Sequence, residues 1–309
     1  MSQSTLSPTT ASPTTASATA SQYTAPNLTV ESARGTTYAY RRFGRAGTVP
    51  VVFFQHFRGN LDNWDPALVD DIAAEREVIL FNASGVGLST GPVPASFAGF
   101  GRDGLAFLDA LGLTEVDLFG FSIGGFVAQE IALQRPHAVR RMILAGTGPR
   151  GGRDMHGWTP EARAHAMKDV QGAEDVLYLF FSPSAASQAK GSEFVGRIFT
   201  RTEGRDSTPD LAVRDAQAAA IIDWGVRDTA ALARLECIHA PTLVANGDDD
   251  IMVPTVNSYL LAGHLPNAVL RIYPDANHGF LFQYPREFAA EVNAFLSAPA
   301  GSVLRGARP

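Results

Sequence analysis

A chain of 309 residues, 45% hydrophobic and 18% charged, has the composition of a globular protein with enough apolar surface to bury a core. Its formal net charge of −6 argues against a nucleic-acid partner, which would need a basic face, and no apolar run approaches the ~20 residues that cross a membrane. The single cysteine, Cys237, cannot form an internal disulfide and reads as a small buried packing residue.

Residues 1–26 are Ser, Thr, Ala and Pro in a near repeat, Pro8-Thr9-Thr10-Ala11-Ser12 followed by Pro13-Thr14-Thr15-Ala16-Ser17. Such a segment has too little apolar surface to offset the entropy of ordering, so it is expected to be a disordered tail. It lacks the basic start and apolar centre of a secretory signal, and a cytoplasmic location is expected by default. Order is expected from near Leu28, with Thr29–Ala33 and Thr37–Arg42 forming a hairpin about Arg34-Gly35-Thr36. Val49–Gln55 is a continuous apolar run, the pattern of a strand buried on both faces. The loop His56-Phe57-Arg58-Gly59-Asn60 precedes a helix over Ala67–Glu75, and Glu77–Phe81 is the next strand. Asn82–Pro94 is a Gly- and Pro-rich loop. Phe97–Leu113 has helical spacing despite its internal glycines at 99, 101, 104 and 112.

Val116–Phe119 is a further buried strand. It runs into Gly120-Phe121-Ser122-Ile123-Gly124, and Phe126–Leu133 then reads as a helix stopped by Pro136. Strand, G-x-S-x-G, helix is the pattern of a nucleophile elbow, in which glycines let the chain pass closely and a strained serine stands above the sheet. A second G-x-S-x-G, Gly87-Leu88-Ser89-Thr90-Gly91, is followed by Pro92 and Pro94, where no helix can start, and reads as a loop. Arg141–Gly146 is another strand. From about Thr147 to Ala240 the alternation breaks, and helices are expected around Glu161–Asp169, Ala173–Phe181, Glu193–Thr200 and Leu211–Ile222. It resumes with a strand at Pro241–Ala245, a helix at Thr255–Ala262, a strand at Ala268–Tyr273 and a closing helix at Pro285–Leu296.

This order predicts an α/β fold: a mostly parallel sheet of roughly eight strands, helices on both faces and a helical insertion. The expected division is a core of residues 27–147 and 238–297, a helical lid over 148–237 and a frayed tail over 298–309. In such sheets the chemistry lies beyond the carboxyl ends of the strands. Those ends lead into His56-Phe57, Ser122, Gly247-Asp248-Asp249-Asp250 and Asp275-Ala276-Asn277-His278-Gly279. A serine needs an adjacent base to act as a nucleophile at neutral pH. Histidine has the suitable pKa, and a carboxylate must fix its tautomer. Ser122, Asp250 and His278 supply these groups in chain order, with Asp248 and Asp249 as alternatives for the acid. The remaining histidines, His137, His156, His165, His239 and His264, show no metal-ligand spacing, and no cofactor or metal is implied.

On these residues the chain resembles the α/β-hydrolase superfamily in its lid-bearing serine-hydrolase branch (esterase, lactonase or haloperoxidase-like), over roughly Leu28–Leu296. Gly247, Asp250 and Pro254 match a G-x-x-D-x-x-x-P stretch and Asn277-His278-Gly279 an N-H-x stretch. The resemblance implies Asp250 as the acid and a lid between the sixth and seventh strands. It also implies an oxyanion hole from the backbone N–H groups of Ile123 and Phe57. Phe57 stands where the family commonly has glycine, and its ring is expected in the pocket. Asn82 stands where relatives often carry aspartate. His56 is expected to brace the oxyanion loop. With His56, the residues Phe180, Phe181, Trp224 and Phe280 are candidates for the substrate pocket, although packing also accounts for such aromatics.

The implied activity is cofactor-independent hydrolysis of a small carboxylic ester or lactone through an acyl-enzyme on Ser122. The alternatives are cleavage of a carbon–carbon bond in a diketone-like compound, cofactor-free perhydrolysis, or a small-molecule receptor that keeps the hydrolase shell. The expected partner is the small-molecule substrate, with neither nucleic acid nor membrane; the sequence leaves the oligomeric state open, a homodimer included.

Overall fold

Phe53 and Phe54 are adjacent in the chain and point to opposite faces of one sheet, as neighbours in a strand must. The structure, a computed structural model, describes residues 20–299. In it Phe53 stacks on Phe119 and meets Trp64, while Phe54 meets Phe81, which stacks on Phe107. Both faces are covered by apolar rings, which is why the run carries no polar alternation. The strands are β1 (Leu28–Glu31), β2 (Thr37–Gly44), β3 (Val51–Phe54), β4 (Glu77–Phe81), β5 (Val116–Phe121), β6 (Val139–Ala145), β7 (Thr242–Gly247) and β8 (Ala268–Tyr273). They form one sheet in the order β1-β2-β4-β3-β5-β6-β7-β8, antiparallel at β1–β2 and β2–β4 and parallel from there on. The expected sheet, with its opening hairpin, is the one observed.

Two helix pairs flank the sheet. Helix α1 (Pro66–Ala73) packs on the closing helix α10 (Pro285–Ser297), and α2 (Phe97–Ala110) packs on α3 (Ile123–Gln134). Phe119 reaches Phe288 of α10, and Phe81 reaches Phe107 of α2, so the pairs lie on opposite faces. The Asp65 side chain caps α1 at the Ala67 N–H and Ser96 caps α2 at the Gly99 N–H. Between β6 and β7 the chain forms α4 (Pro160–Ala166), α5 (Ala173–Phe180), α6 (Ala185–Ile198), α7 (Leu211–Gly225) and a 3-10 helix, Thr229–Cys237. Helix α8 (Val256–His264) joins β7 to β8, and the one-turn α9 (Phe280–Gln283) precedes α10.

The structure corrects several expectations. Helix α6 begins at Ala185, eight residues before Glu193, because its buried positions include Ser187 and Gly191, which carry no hydrophobic periodicity. Cys237 is exposed rather than buried. It sits on a 3-10 turn whose period of three buries Leu232, Leu235 and Ile238 and leaves position 237 outside. Order precedes Leu28 as well. The Gln22 side chain donates to the Leu61 carbonyl at 2.5 Å, Ala25 is fully buried, and Arg201 donates to the carbonyls of Gln22, Tyr23 and Ala25. Of the expected disordered tail, residues 1–19 lie outside the described residues, as do residues 300–309 of the expected frayed end. Ala298 and Pro299 are held through their carbonyls by Arg141.

Candidate active site

The chain adds β4 on one side of β3 and then crosses back to place β5 on the other. The crevice beyond the carboxyl ends of β3 and β5 is therefore the point where strand order reverses, the position at which open α/β sheets bind ligands. The loop after β3 and the turn after β5 meet there.

At the end of β5, Ser122 has φ 57° and ψ −122°, and α3 starts at the very next residue. A side chain at Gly124 would collide with the Phe54 carbonyl, and one at Gly120 with the Gly124 backbone. Both glycines are thus required by close backbone approach rather than by composition. The Ser122 N–H donates to the Ala145 carbonyl and its own carbonyl accepts from Thr147 and Gly125, so the backbone is fixed while the side chain lines a cavity. Such strain at a non-glycine residue persists only where the surroundings over-determine it.

Beyond β7 and β8, the Nδ1 of His278 is 2.8 Å from the Oδ2 of Asp250, and both side chains are buried. The other Asp250 oxygen accepts the N–H groups of Met252 and Val253 at 2.8 and 2.9 Å. Asn277 steadies both loops, its Oδ1 accepting from Ile251 and from His278. Of the alternative acids, Asp248 is spent on the N–H groups of Asp275 and Ala276, and Asp249 is exposed. A carboxylate on Nδ1 directs the Nε2 of His278 towards the proton it would exchange. His278 and Ser122 line the same cavity; no hydrogen bond joins the hydroxyl to the imidazole, a contact that often tightens only with substrate bound.

The loop after β3 is bonded along nearly its whole length. The N–H groups of His56, Arg58, Gly59, Asn60, Leu61 and Asp62 each have an acceptor, and Phe57 alone in that stretch has none among the described residues. Ile123 is the first residue of α3, where an N–H has no intrahelical acceptor. Two backbone donors are thus left over beside Ser122. The Nδ1 of His56 is 2.9 Å from the Phe57 carbonyl, which can only accept, so Nδ1 carries the proton. Burial pushes the His56 pKa down to about 4, and the ring is neutral at physiological pH.

The cavity has a volume of about 390 Å³. Ser122, His278, Phe57 and Met252 lie together in its wall, and Phe180, Phe194, Val195 and Ile198 bring the apolar lining from α5 and α6.

The family described as alpha/beta hydrolase fold matches residues 49–285. The chain is an α/β hydrolase. An alpha/beta hydrolase fold protein from Chitinophaga pinensis has a solved structure that superposes with a TM-score of 0.85 at 38% identity, covering 91% of this chain and 100% of that one. A poly(3-hydroxyalkanoate) depolymerase of Ectopseudomonas oleovorans is 29% identical over 299 residues, 91% of this chain and 96% of the relative. The structure of an N-acyl homoserine lactone degrading enzyme gives a TM-score of 0.69 at 28% identity and covers 87% of this chain and 100% of that one.

In this hydrolase the residues expected in the pocket separate into two groups. His56 and Phe180 line the cavity, their rings edge-to-face at 5.2 Å, and the Phe57 ring lines it too, 5.4 Å from Trp158. Phe181, Trp224 and Phe280 do not line it. Phe181 is buried against Phe194, Trp224 stacks on Phe126 at 4.9 Å, and Phe280 stacks on Tyr273 at 5.1 Å. All three are core packing: α5 ends at Phe180, and the extended backbone of Phe181 just beyond it turns that ring away from the face Phe180 presents to the cavity. Sequence reasoning missed Met252, Phe194, Val195 and Ile198. The i, i+1, i+4 spacing from Phe194 to Ile198 was a legible signal for one face of a helix, but nothing in it tells a cavity wall from core.

Proposed function

We propose that this α/β hydrolase cleaves a small carboxylic ester or lactone through an acyl-enzyme on Ser122, without a cofactor, and that α4–α7 act as its lid. The reading is carried by one arrangement: His278, paired with Asp250, lines one cavity with the strained Ser122 and with Phe57, and the N–H groups of Phe57 and of Ile123, the residue after Ser122, have no other acceptor among the described residues. His278 takes the hydroxyl proton as Ser122 adds to the ester carbonyl, and Asp250 steadies the imidazolium. The tetrahedral oxygen accepts from the N–H groups of Phe57 and Ile123, each worth about 3 kcal/mol in comparable sites. The adduct expels the alcohol, which leaves with the proton from His278. Water then adds to the acyl-Ser122 ester through the same base, releasing the acid and restoring the serine.

The apolar wall and the cavity volume suit a substrate of drug-like size or smaller. The named activities of two relatives, on a polyester and on a lactone, support the same bond class. A panel of short-chain p-nitrophenyl esters and lactones, given to the protein and to Ser122→Ala, tests the proposal. Turnover that falls at least 1,000-fold in the variant is expected, since removing a nucleophile in such a unit costs roughly 10⁶. Equal rates for the two proteins, or no turnover by either, would sink it.

A further inference from the structure

We propose that Arg58 and Gln217 are positioning residues that hold the Phe57 N–H in place, so that the helical insertion carries part of the oxyanion hole. The inference rests on the reading of Phe57 as an oxyanion donor. His56 to Gly59 is a tight turn, closed by the Gly59 N–H on the His56 carbonyl at 2.9 Å. Its third residue, Arg58, has φ 62°. A turn favours glycine or asparagine in that left-handed position, and an arginine there is strained. Something outside the turn has to hold it.

The supports come from two directions. The Phe57–Arg58 peptide is pinned at both ends, its carbonyl by His56 Nδ1 at 2.9 Å and its N–H by the Gln217 Oε1 of α7 at 2.8 Å. The Arg58 guanidinium then reaches the end of α4 and the segment that follows it, donating to the carbonyls of Ala166 (3.3 Å), Lys168 (2.5 Å) and Asp169 (2.9 Å). Arg58 and Gln217 are both buried, and carbonyls at a helix end are acceptors that no intrahelical partner satisfies. The peptide immediately before the pinned one carries the Phe57 N–H. Its direction is therefore set by the turn's own bond together with a network whose far ends lie on α7 and on the end of α4 and the segment after it, not on the sheet. If these helices shift outward, the donor turns away from Ser122. The oxyanion hole is complete when the insertion is docked.

The test compares Gln217→Leu, Gln217→Glu and Arg58→Gly with the parent protein on a p-nitrophenyl ester, together with the affinity for a trifluoromethyl ketone that forms a tetrahedral adduct. Arg58→Gly suits φ 62° and so removes the strut without burdening the turn. Gln217→Glu keeps an acceptor oxygen where leucine has none. The expected result is a kcat lower by roughly 10- to 100-fold in Gln217→Leu and Arg58→Gly, the scale of a small misplacement at a reacting centre. KM should change little in Gln217→Leu, whose side chain lies outside the main cavity, whereas Arg58 lines that cavity and its loss is read in kcat and ketone affinity; ketone affinity should fall by a similar factor in both, and Gln217→Glu should recover much of the loss. Thermal melting identifies a leucine variant that fails to fold, and the glutamate and glycine variants then decide. Unchanged kcat and ketone affinity in folded Arg58→Gly, or a glutamate variant without rescue, would overturn the assignment. Ser122→Ala run alongside keeps the two readings apart, because loss of turnover there with none in Arg58→Gly removes the strut and leaves the nucleophile standing.

Discussion

At the scale of single residues, His56 and His278 illustrate how surroundings divide the work of one side-chain type. His278 is bonded to a carboxylate, whereas His56 is bonded to a carbonyl and edge-on to Phe121 and Phe180. Burial holds the folded-state pKa of His56 at about 4, below its ordinary 6.5. As pH falls below 6.5 the unfolded chain gains this proton while the folded chain does not. The stability involved is complete above pH 6.5 and is lost as pH falls towards 4. Asp70 and Asp117, pushed up to about 6 by burial, act with the opposite sign, gaining stability as pH falls. A difference measurement isolates the histidine. Denaturant melts of the protein and of His56→Asn at pH 7 and pH 5 should show the parent losing more stability than the variant on acidification; equal losses would mean that His56 titrates normally.

The elements show why some local signals were decisive and others silent. Glycines at 120 and 124 were legible as an elbow because backbone meets backbone there, and no side chain fits at either position. Gly124→Ala is expected to destabilise the protein by roughly 3 kcal/mol, the upper end for overpacking a site that cannot relax. A chemical-denaturation midpoint within error of the parent would refute that. The first half of α6 was illegible for the complementary reason. Its contacts use Ser187, bonded to Gln283 at 2.7 Å, and Gly191, packed on Leu177 and Phe181, so close approach replaces hydrophobic pattern. Aromatic pairs misled in the same region, where Phe180 faces the cavity and Phe181 the core.

Across the whole molecule, the helical insertion is tied to the core at several distant points. Arg197 of α6 pairs with the buried Asp65 that caps α1, and the Gly279 N–H next to His278 donates to the Phe180 carbonyl at 2.7 Å. Arg201, on the loop that follows α6, grips the segment before β1 through three carbonyls. That segment is part of the folded unit although its composition argued for disorder. A chain beginning at Leu28 is expected to melt several degrees below one beginning at Ala20, at roughly 2–4 °C per kcal/mol lost. Coincident melting curves would show that residues 20–27 contribute nothing.

The sequence by itself determined the alternation of strand and helix, the elbow at Ser122 and the chain order of serine, aspartate and histidine. The first two depend on neighbours a few residues away, where covalent geometry restricts the choices, and the third is read directly from the order of short local motifs along the chain. Tertiary structure alone decided which aromatics line the cavity and that the Arg58 N–H meets Gln217 beside Ser122; it also set against His278 the aspartate that the family pattern implied, Asp250, where the residues alone left Asp248 and Asp249 open. Those outcomes depend on contacts between residues 28 to 159 positions apart, and no local pattern records what the folded chain brings to the other side of a side chain.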